Sequence, residues 1–378
     1  MPLVLTDEQT MIRDSADGFF AEHAPVSDLR RLRDARDEVG FSRELWKAMA
    51  EMGFAGILVP EAHGGVGLGH VAAGLVQEAI GRNLSSTPFL STSVLAVTAL
   101  AAASADQQAA HLPKIAAGEE IIAVALDERS RHSPSHVETR AEPSGNGFKL
   151  TGTKSFVLDG HVADKLIVVA RTSDDTDSKN GLTLFLVDPK AAGVTTEQTV
   201  LLDNRNAAQI KLDGVQVDGA DMIGDIGGGW AVIERVLDAG RACLAAEMLG
   251  VSTESFTRTV DYLKQREQFG QKIGTFQALQ HRAAHLFCEV ELVRSATLRA
   301  LQALDAGDAT APMFASLAKA KAGEVAKLAT NEAVQMHGGI GMTDEFDIGF
   351  YMKRARAAAE TFGDAAFHGD RLARIMGY

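Results

Sequence analysis

The sequence predicts a chain of three parts, in which a helical region, an antiparallel β region and a second helical region follow one another. Apolar residues recur at helical spacing through residues 1–120, short alternating runs rich in β-formers fill residues 121–225, and helical spacing returns over residues 226–378. A chain of 378 residues is too long for one ordinary core. We therefore expect two or three packed units, with the β structure in the middle.

The first region opens with a helix start signal. Thr6 is followed three residues later by Gln9, which is the capping-box pattern, and apolar residues continue at helical spacing to Phe20. The segments 41–52 and 71–80 repeat the same amphipathic spacing. These segments predict helices that each bury one face.

The middle and last regions differ in the spacing of their apolar residues. Three consecutive glycines at 227–229 end the β region, and Thr310-Ala311-Pro312 predicts the start of a late helix, because proline is favoured in a first helical turn. The runs that predict strands are 148–151, 166–169, 182–187, 209–213 and 215–217.

Composition excludes several classes of function. The net charge of −13 disfavours nucleic acid and anionic membranes as partners, and the sequence offers neither a signal peptide nor an apolar stretch long enough to cross a bilayer. The two cysteines, Cys243 and Cys288, lie in apolar, helical-looking stretches and predict buried free thiols. This usage of cysteine fits a cytoplasmic protein.

Most motifs of known chemistry are absent or out of context. The segment Gly67-Leu68-Gly69-His70-Val71-Ala72 matches a dinucleotide-binding pattern, but the predicted helices around it lack the required strand–helix–strand unit. A glycine-rich turn before a helix is the better interpretation. The sequence contains no phosphate-binding Gly-x-x-x-x-Gly-Lys, no His-Glu-x-x-His and no Gly-x-Ser-x-Gly, and no Cys/His cluster has zinc-ligand spacing.

Two stretches are more specific. The first combines Arg266-Glu267-Gln268-Phe269-Gly270 with Phe276-Gln277, and the second is Gln335-Met336-His337-Gly338-Gly339-Ile340-Gly341. Taken alone, each is compatible with an ordinary helix end, with a helix stopping near Gln268 or at Gly338. Together, in residue type and spacing, they resemble the acyl-CoA dehydrogenase family. The similarity extends over nearly the whole chain.

Within that family the chain most resembles the small subunit of pimeloyl-CoA dehydrogenase, a heteromeric enzyme. The segments 260–264, 276–283 and 361–365 carry this closer likeness. The resemblance implies an acyl-CoA dehydrogenase-like fold with an α-helical N-terminal domain, an antiparallel β-barrel middle domain and a C-terminal four-helix bundle. We assign these to residues 1–120, 121–225 and 226–378. It also implies oligomers in which each FAD is shared between two subunits.

The resemblance implies a set of residues that bind the FAD of a neighbouring subunit. Arg266 would pair with the FAD pyrophosphate, for which an always-charged, forked guanidinium is suited. Phe269 would pack along the nucleotide, and Gln277 and Gln335 would hydrogen-bond it. The backbone at Gly338 and Gly339 would approach phosphate or ribose without a Cβ in the way.

The catalytic base of the family is missing. Its reaction needs a carboxylate that removes the α-proton, hydrogen bonds to the thioester oxygen, and a flavin that accepts the β-hydride. The family places the carboxylate at one of two positions, and here these are Gly240 and Phe362. The weak candidates that remain are Glu360 and Asp364, each about 200° from position 362 if the segment is helical.

Two other groups near these positions have expected roles that follow from the same resemblance. Arg241, which follows Gly240, is a candidate contact for the substrate, and the Phe362 backbone N–H is a candidate donor to the thioester oxygen.

The middle region also departs from the family pattern. Residues 126–133 stand where the family has a Thr-Glu-Pro-Gly-x-Gly-Ser-Asp loop that touches flavin and CoA, and 156–158 stand where it has Trp-Ile-Thr. Leu126 and Leu158 replace the two hydroxyls that would bond the flavin ring. The half-site for a partner's FAD is thus complete, while the half-site for the chain's own flavin is eroded.

Three hypotheses follow. The chain is the small, non-basic subunit of an α₂β₂ acyl-CoA dehydrogenase, or a homo-oligomeric enzyme with an unusual base at Glu360 or Asp364, or a non-enzymatic scaffold. The resemblance implies an acyl-CoA substrate, converted to the trans-2-enoyl-CoA, and electron-transfer flavoprotein as the acceptor. The complete half-site around Arg266 and Gln335 argues against the scaffold, which would have no need of it.

Overall fold

The computed structural model describes residues 2–173 and 175–378. The chain divides into two compact units. The first contains the described residues up to Arg31 together with His70–Ser85 and Arg241–Tyr378, and the second contains Leu32–Gly69 and Ser86–Gly240. Because the N-terminal helices contribute to both units, these do not coincide with the three regions of the sequence, whose boundaries stay a prediction.

The order of elements is helical, then β, then helical, as predicted. The helices are α1 (Asp7–His23), α2 (Val26–Ala35), α3 (Arg43–Glu51), α4 (Gly69–Asn83), α5 (Val97–Leu100), α6 (Ala105–Ala116), α7 (Trp230–Gln265), α8 (Gln277–Asp305), α9 (Ala311–His337), α10 (Ile348–Glu360) and α11 (Ala365–Ile375). The strands are β1 (Ile122–Ala125), β2 (Arg140–Ser144), β3 (Gly147–Leu158), β4 (Lys165–Arg171), β5 (Leu182–Val187), β6 (Val194–Val200), β7 (Asn206–Asp218), β8 (Met222–Ile223), β9 (Glu267–Gln268) and β10 (Gln271–Lys272). A π-helical segment, Phe89–Ala96, leads into α5.

The predicted helix starts are confirmed. Gln9 N–H donates to Thr6 Oγ1 at 3.2 Å, and Thr6 N–H donates to the Gln9 side chain at 3.1 Å, so a capping box forms at the N-terminus of α1. Helix α9 begins directly after Thr310, with Pro312 in its first turn. Helix α4 begins at Gly69, as expected for a glycine-rich turn before a helix.

The C-terminal helices of the first unit pack around α9, which contacts α8, α10 and α11. A fully buried ion pair joins α7 to α10, with 3.2 Å between Arg354 Nη1 and Glu247 Oε1. Gln77 of α4 donates to the other carboxylate oxygen at 2.8 Å. Helices α4 and α7 approach closely because Gly81 of α4 faces the carbonyl of Glu247 and Gly250 of α7 faces the carbonyl of Glu78, where any Cβ would collide.

The strands of the second unit form one eight-stranded sheet. Its hydrogen-bonded order is β6-β7-β3-β2-β4-β5-β8, and β1 pairs with β4. The ladders are antiparallel as predicted, except that β1 runs parallel to β4 and β2 meets β4 in parallel at a single pair. Alternating residues of six strands build one apolar core, which includes Leu150, Leu166 and Phe185.

Two expectations are wrong. Cys243 is a buried free thiol, but Cys288 is exposed, because none of the described residues covers the face of α8 that carries it. Helix α7 ends at Gln265 and does not reach Gln268, since the chain then enters a two-stranded hairpin of β9 and β10. In the part of the chain that the structure describes, no helix is both long and apolar enough to cross a membrane.

Candidate functional site

The Arg266 segment forms a tight hairpin at the end of α7. Strands β9 and β10 pair through Gln268 and Gln271, and the turn between them consists of Phe269 (φ +55°) and Gly270 (φ +77°). Two consecutive positive φ values are typical of a tight hairpin turn, and they put Phe269 at its tip. The Phe269 side chain is 93% exposed. An aromatic ring this exposed is available to a ligand or a partner.

Arg266 is fixed through its backbone and open at its side chain. Its N–H donates to Tyr262 O at 2.8 Å, and its carbonyl accepts from Ile273 N at 2.9 Å. The adjacent carboxylate of Glu267 is taken by Lys272 at 2.6 Å. Within the described residues Arg266 makes no ion pair, and its side chain is exposed. Its guanidinium is therefore ready to receive an anion from outside the chain.

The other predicted cofactor residues are exposed as well. Gln277 begins α8 and Gln335 lies in the last turn of α9, and neither side-chain amide forms a hydrogen bond within residues 2–173 and 175–378. Gly338 adopts φ +65°, which favours glycine, and a Cβ at Gly338 or Gly339 would meet nothing within 4 Å. The backbone of these glycines is open to an approaching group.

A set of contacts joins these segments within the first unit. Phe269 meets Phe276, the residue before Gln277, edge to face at 6.2 Å. Arg282 of α8 and Glu332 of α9 form an ion pair at 2.6 Å. The predicted residues thus share one exposed surface, here called the 266–339 surface. Its members are Arg266, Phe269, Gln277, Gln335, Gly338 and Gly339.

The 266–339 surface fits an FAD diphosphate in its chemistry. It offers a forked cation and two amides that have no partner among the described residues, together with an exposed ring and two glycines with open faces. FAD, the cofactor that the resemblance implies, would supply the hydride acceptor for oxidation at carbon when bound there. The role of each residue toward it stays a prediction.

The predicted base position holds no carboxylate. Phe362 lies in a turn with φ +59°, and its carbonyl accepts from Arg241 Nε at 3.3 Å and from His368 Nε2 at 3.1 Å. The next carbonyl, of Gly363, accepts from Lys319 Nζ at 2.9 Å. Cationic and imidazole donors therefore hold the backbone that the family uses to present its glutamate.

Lys319 is the centre of this arrangement. Its ammonium also donates to Ala359 O at 2.8 Å, and the side chain is 1% exposed. Burial, and next the charge of Arg241, lower the pKa of Lys319 to about 7. Lys319 is not among the site residues predicted from the sequence, although its place among Ala315, Ala318 and Ala322 on one face of α9, all buried, was a usable signal.

The two weak base candidates have other surroundings. Glu360 is the last residue of α10 and lines a groove between α9 and α10 together with Lys327 and Arg356. Asp364 caps α11, because its carboxylate accepts from Phe367 N–H at 2.7 Å. The segment between them is a turn, so the angular offset expected for a continuous helix does not apply. A role as base stays a prediction for both.

Residues 126–133, which depart from the family pattern, begin a longer segment, residues 126–139, here called the 126–139 loop, which is held by hydrogen bonds within the segment and to Lys154 of β3. Lys154 Nζ lies 2.6 Å from Glu128 Oε1 and 3.1 Å from Leu126 O, and the lysine is fully buried. The Glu128 carboxylate also accepts from the backbone N–H groups of Glu138 and Thr139. Burial alone would raise the pKa of Glu128, but Lys154 and these hydrogen bonds outweigh it and lower the pKa.

The two histidines of the 126–139 loop are engaged too. His132 contacts the Asp127 carboxylate at 2.9 Å, and His136 bridges Asp177 at 2.5 Å and Glu138 at 2.7 Å. Hydrogen bonds to Asp177 and then to Glu138 raise the pKa of His136. Among the described residues no group of three or more His, Cys, Asp or Glu could hold a metal ion.

Models of one protein family match nearly the whole chain. Models of the N-terminal, middle and C-terminal domains of acyl-CoA dehydrogenases match residues 6–119, 127–215 and 227–377. The chain is 31% identical to acyl-CoA dehydrogenase IpdE2 of Mycobacterium tuberculosis, over 94% of this chain and 92% of that protein.

Solved structures are also similar to this chain over nearly its whole length. A variant of the Tcur3481-Tcur3483 steroid ACAD is 32% identical, with a TM-score of 0.88 and 98% of both chains covered. The ChsE4-ChsE5 complex from Mycobacterium tuberculosis is 28% identical, with a TM-score of 0.89, over 100% of this chain and 99% of that one.

Proposed function

This chain belongs to the acyl-CoA dehydrogenase family and is an FAD-dependent oxidoreductase acting on an acyl-CoA; from that premise we propose that it is the small, non-basic subunit of a heteromeric enzyme. In this proposal a homologous partner subunit supplies the glutamate that removes the α-proton, and the present chain completes the partner's FAD site. The likeness to the small subunit of pimeloyl-CoA dehydrogenase and the cytoplasmic location belong to the same proposal.

One observation carries the proposal: the base positions are non-acidic while the 266–339 surface is complete. Gly240 has no side chain, and the Phe362 carbonyl is occupied by Arg241 and His368. Proton abstraction needs a group that can take the proton, and a protonated guanidinium cannot do so. A partner subunit that carries a carboxylate would supply the missing base.

The 126–139 loop supports the same division of labour. Leu126 and Leu158 offer no hydroxyl to a flavin ring, and the Glu128 carboxylate is committed to Lys154. A flavin heteroatom buried against leucine would lose a hydrogen bond, at about 1–3 kcal/mol each. We infer that the chain does not hold a flavin ring of its own and that the enzyme carries one FAD for two chains.

The substrate class is proposed to be a bulky acyl-CoA with a ring-bearing acyl group. Gly240 carries no side chain where the family can place a carboxylate, and one similar structure is that of a steroid ACAD. Another similar structure is that of the ChsE4-ChsE5 complex, which supports a heteromer. Electron-transfer flavoprotein is proposed as the electron acceptor, as the family resemblance implies.

The test is the flavin content of the purified protein. Expressed alone, the chain should retain little FAD, and co-expressed with a neighbouring acyl-CoA dehydrogenase subunit it should co-purify with one FAD for two chains. Arg266→Ala should lower that content, and the matched control Lys264→Ala, an exposed cation on the same helix end, should not.

The opposite result is equally informative. One FAD per chain in the protein expressed alone, bleached on addition of an acyl-CoA, would reject the heteromer and favour a homo-oligomeric enzyme. Glu360→Gln and Asp364→Asn would then identify its base, since only the loss of the true base abolishes bleaching.

A further inference from the structure

Three rings form a cluster between the two motif-bearing segments of the 266–339 surface. Tyr262 and His337 stack with ring centroids 4.4 Å apart and an interplanar angle of 26°. Phe346 lies 5.1 Å from the imidazole and 6.2 Å from the phenol ring. Tyr262 is one helical turn before Arg266, whose N–H bonds to its carbonyl, and His337 immediately precedes Gly338. The stack therefore joins the end of α7 to the end of α9.

The orientation of the imidazole is fixed. His337 is 3% exposed, and its Nδ1 lies 2.7 Å from Ala333 O. A carbonyl oxygen only accepts, so Nδ1 carries the proton and Nε2 is a bare acceptor. Burial lowers the pKa of His337, which favours this neutral form. The Nδ1–H bond prevents the ring from rotating out of the stack.

The other ring nitrogen of His337, Nε2, bears on why a histidine stands at this position. Nε2 is buried and has no hydrogen-bond partner within the described residues. A buried unpaired acceptor destabilises the folded chain, so helix packing alone would be served better by an apolar ring. The imidazole supplies a small planar ring whose tilt is set from within α9.

The third ring anchors the stack from a separate segment. Phe346 is followed by Asp347, whose carboxylate pairs with Arg30 at 2.9 Å and with Arg258 at 3.0 Å. Arg258 lies on α7, one helical turn before Tyr262. Phe346 is thus tied back to the same helix whose end carries Arg266, and His337 has limited freedom to move away from Tyr262.

We propose that His337 is a positioning residue that holds the Arg266 hairpin and the Gly338-Gly339 turn at one fixed separation, so that both reach the same FAD diphosphate. The inference rests on the proposed FAD half-site and adds to it a residue that does not touch the cofactor. Two exposed segments from different helices bind one diphosphate more tightly when their spacing is set before binding, because preorganisation lowers the ordering cost of binding. The Tyr262–His337 stack sets that spacing.

The experiment measures FAD affinity and thermal unfolding together. Flavin fluorescence titrations are run on the purified oligomer, with its partner subunit where FAD binding requires one. His337→Leu removes the planar ring, and FAD should bind about tenfold more weakly, as expected for loss of one aromatic pair. His337→Phe keeps a ring in the stack but loses the Nδ1–H bond that sets its tilt, so its FAD affinity should lie between those of His337→Leu and the unmodified protein.

A matched control separates positioning from packing. Phe256 and Phe287 form another aromatic pair of the same unit, at 6.1 Å, and Phe256 is on α7 away from both motifs. Phe256→Leu should lower the unfolding temperature without changing FAD affinity. If His337→Leu behaves in the same way, with lower stability and unchanged FAD affinity, the positioning role is overturned.

Arg266→Ala distinguishes this inference from the half-site itself. If Arg266→Ala weakens FAD binding and His337→Leu does not, the half-site stands and the role of His337 falls. If Arg266→Ala also has no effect, the half-site is wrong and both proposals fall together. Should His337→Leu not fold, Tyr262→Leu removes the same stack from the other side and is judged by the same criteria.

Discussion

The 266–339 surface and the 126–139 loop are both rich in polar groups, but their hydrogen-bonding capacity goes to different places. In the loop, the Glu128 carboxylate is consumed by Lys154 and two backbone N–H groups. On the surface, Arg266 and Gln335 have no partner within the described chain. A polar group already paired inside one unit stabilises the fold, whereas an unpaired exposed group stabilises nothing until a ligand or partner arrives. The contrast predicts which substitutions affect stability and which affect binding.

The largest expected effect comes from breaking the buried pair of the loop. Lys154→Met leaves the Glu128 carboxylate buried without its counter-ion, and we expect a loss of about 3–5 kcal/mol in the free energy of unfolding. Urea denaturation followed by circular dichroism measures it. FAD content of the folded protein should not change, because neither residue belongs to the 266–339 surface.

The matched control for this loss is an exposed pair on the same sheet. Lys165 and Asp188 lie 3.2 Å apart, with side chains 32% and 49% exposed. Lys165→Met should change the free energy of unfolding by less than about 1 kcal/mol. Equal losses for Lys154→Met and Lys165→Met would contradict the view that burial makes the loop pair structural.

The second effect is expected on the 266–339 surface, where a substitution should change FAD binding and leave stability nearly unchanged. Arg266→Ala should leave the free energy of unfolding within about 0.5 kcal/mol, since surface substitutions without partners rarely change stability. FAD affinity should fall about 10- to 100-fold, as expected for one charge-assisted contact to a phosphate. Arg266→Lys keeps the charge but loses the forked guanidinium, so its FAD affinity should lie between those of Arg266→Ala and the unmodified protein. An Arg266→Ala protein that binds FAD normally would show that the cation serves another ligand.

The third effect concerns pH and the turn at the absent base. The folded pKa of Lys319 is about 7 against an ordinary value of 10.5, so the unfolded chain binds more protons between these values. Lys319 therefore makes the free energy of unfolding rise with pH from about 7 toward 10.5, by up to about 1.4 kcal/mol per unit. Lys319→Met should remove this slope. Lys321→Met is the control, because Lys321 is partly exposed and pairs with Glu289.

The measurement is a series of urea unfolding curves at pH 7, 8 and 9 for the unmodified protein and both variants. If Lys319→Met retains the full slope, the ammonium between Ala359 and Gly363 is not the titrating group. The turn around Phe362 would then be held in a way that does not depend on that charge.

Local chemistry is where the sequence predicted well. The capping box of Thr6 and Gln9, the proline at the start of α9 and the helical–β–helical order all depend on neighbours a few residues apart. The residues of the 266–339 surface could also be named from the sequence, because they fall into two short motifs that follow α7 and end α9, and their role toward FAD stays a prediction. The structure adds the hairpin that brings Phe269 to the tip, which requires two positive φ values in a row.

The buried charges could not be predicted because their partners are distant in the sequence. Lys154 finds Glu128 across 26 positions, and Lys319 finds the carbonyl of Gly363 across 44. A lysine in an alternating strand looks solvent-facing until the fold places a carboxylate beside it. The exposure of Cys288 has a related cause, since periodicity finds an apolar face but not whether another element covers it.

The smallest expected effect is that of substituting Asp364. It distinguishes two roles of this carboxylate, as a helix cap and as a base. As the N-cap of α11 it accepts from Phe367 N–H at 2.7 Å, so Asp364→Ala should lower the free energy of unfolding by about 1 kcal/mol. Asp364→Asn keeps a capping oxygen and should be nearly neutral for stability, although it cannot act as a base. We expect the Asn variant to retain acyl-CoA oxidation in the heteromer, measured by reduction of an artificial electron acceptor. Loss of activity with unchanged stability in Asp364→Asn would make this carboxylate the base, and the chain would then contribute chemistry as well as cofactor contacts.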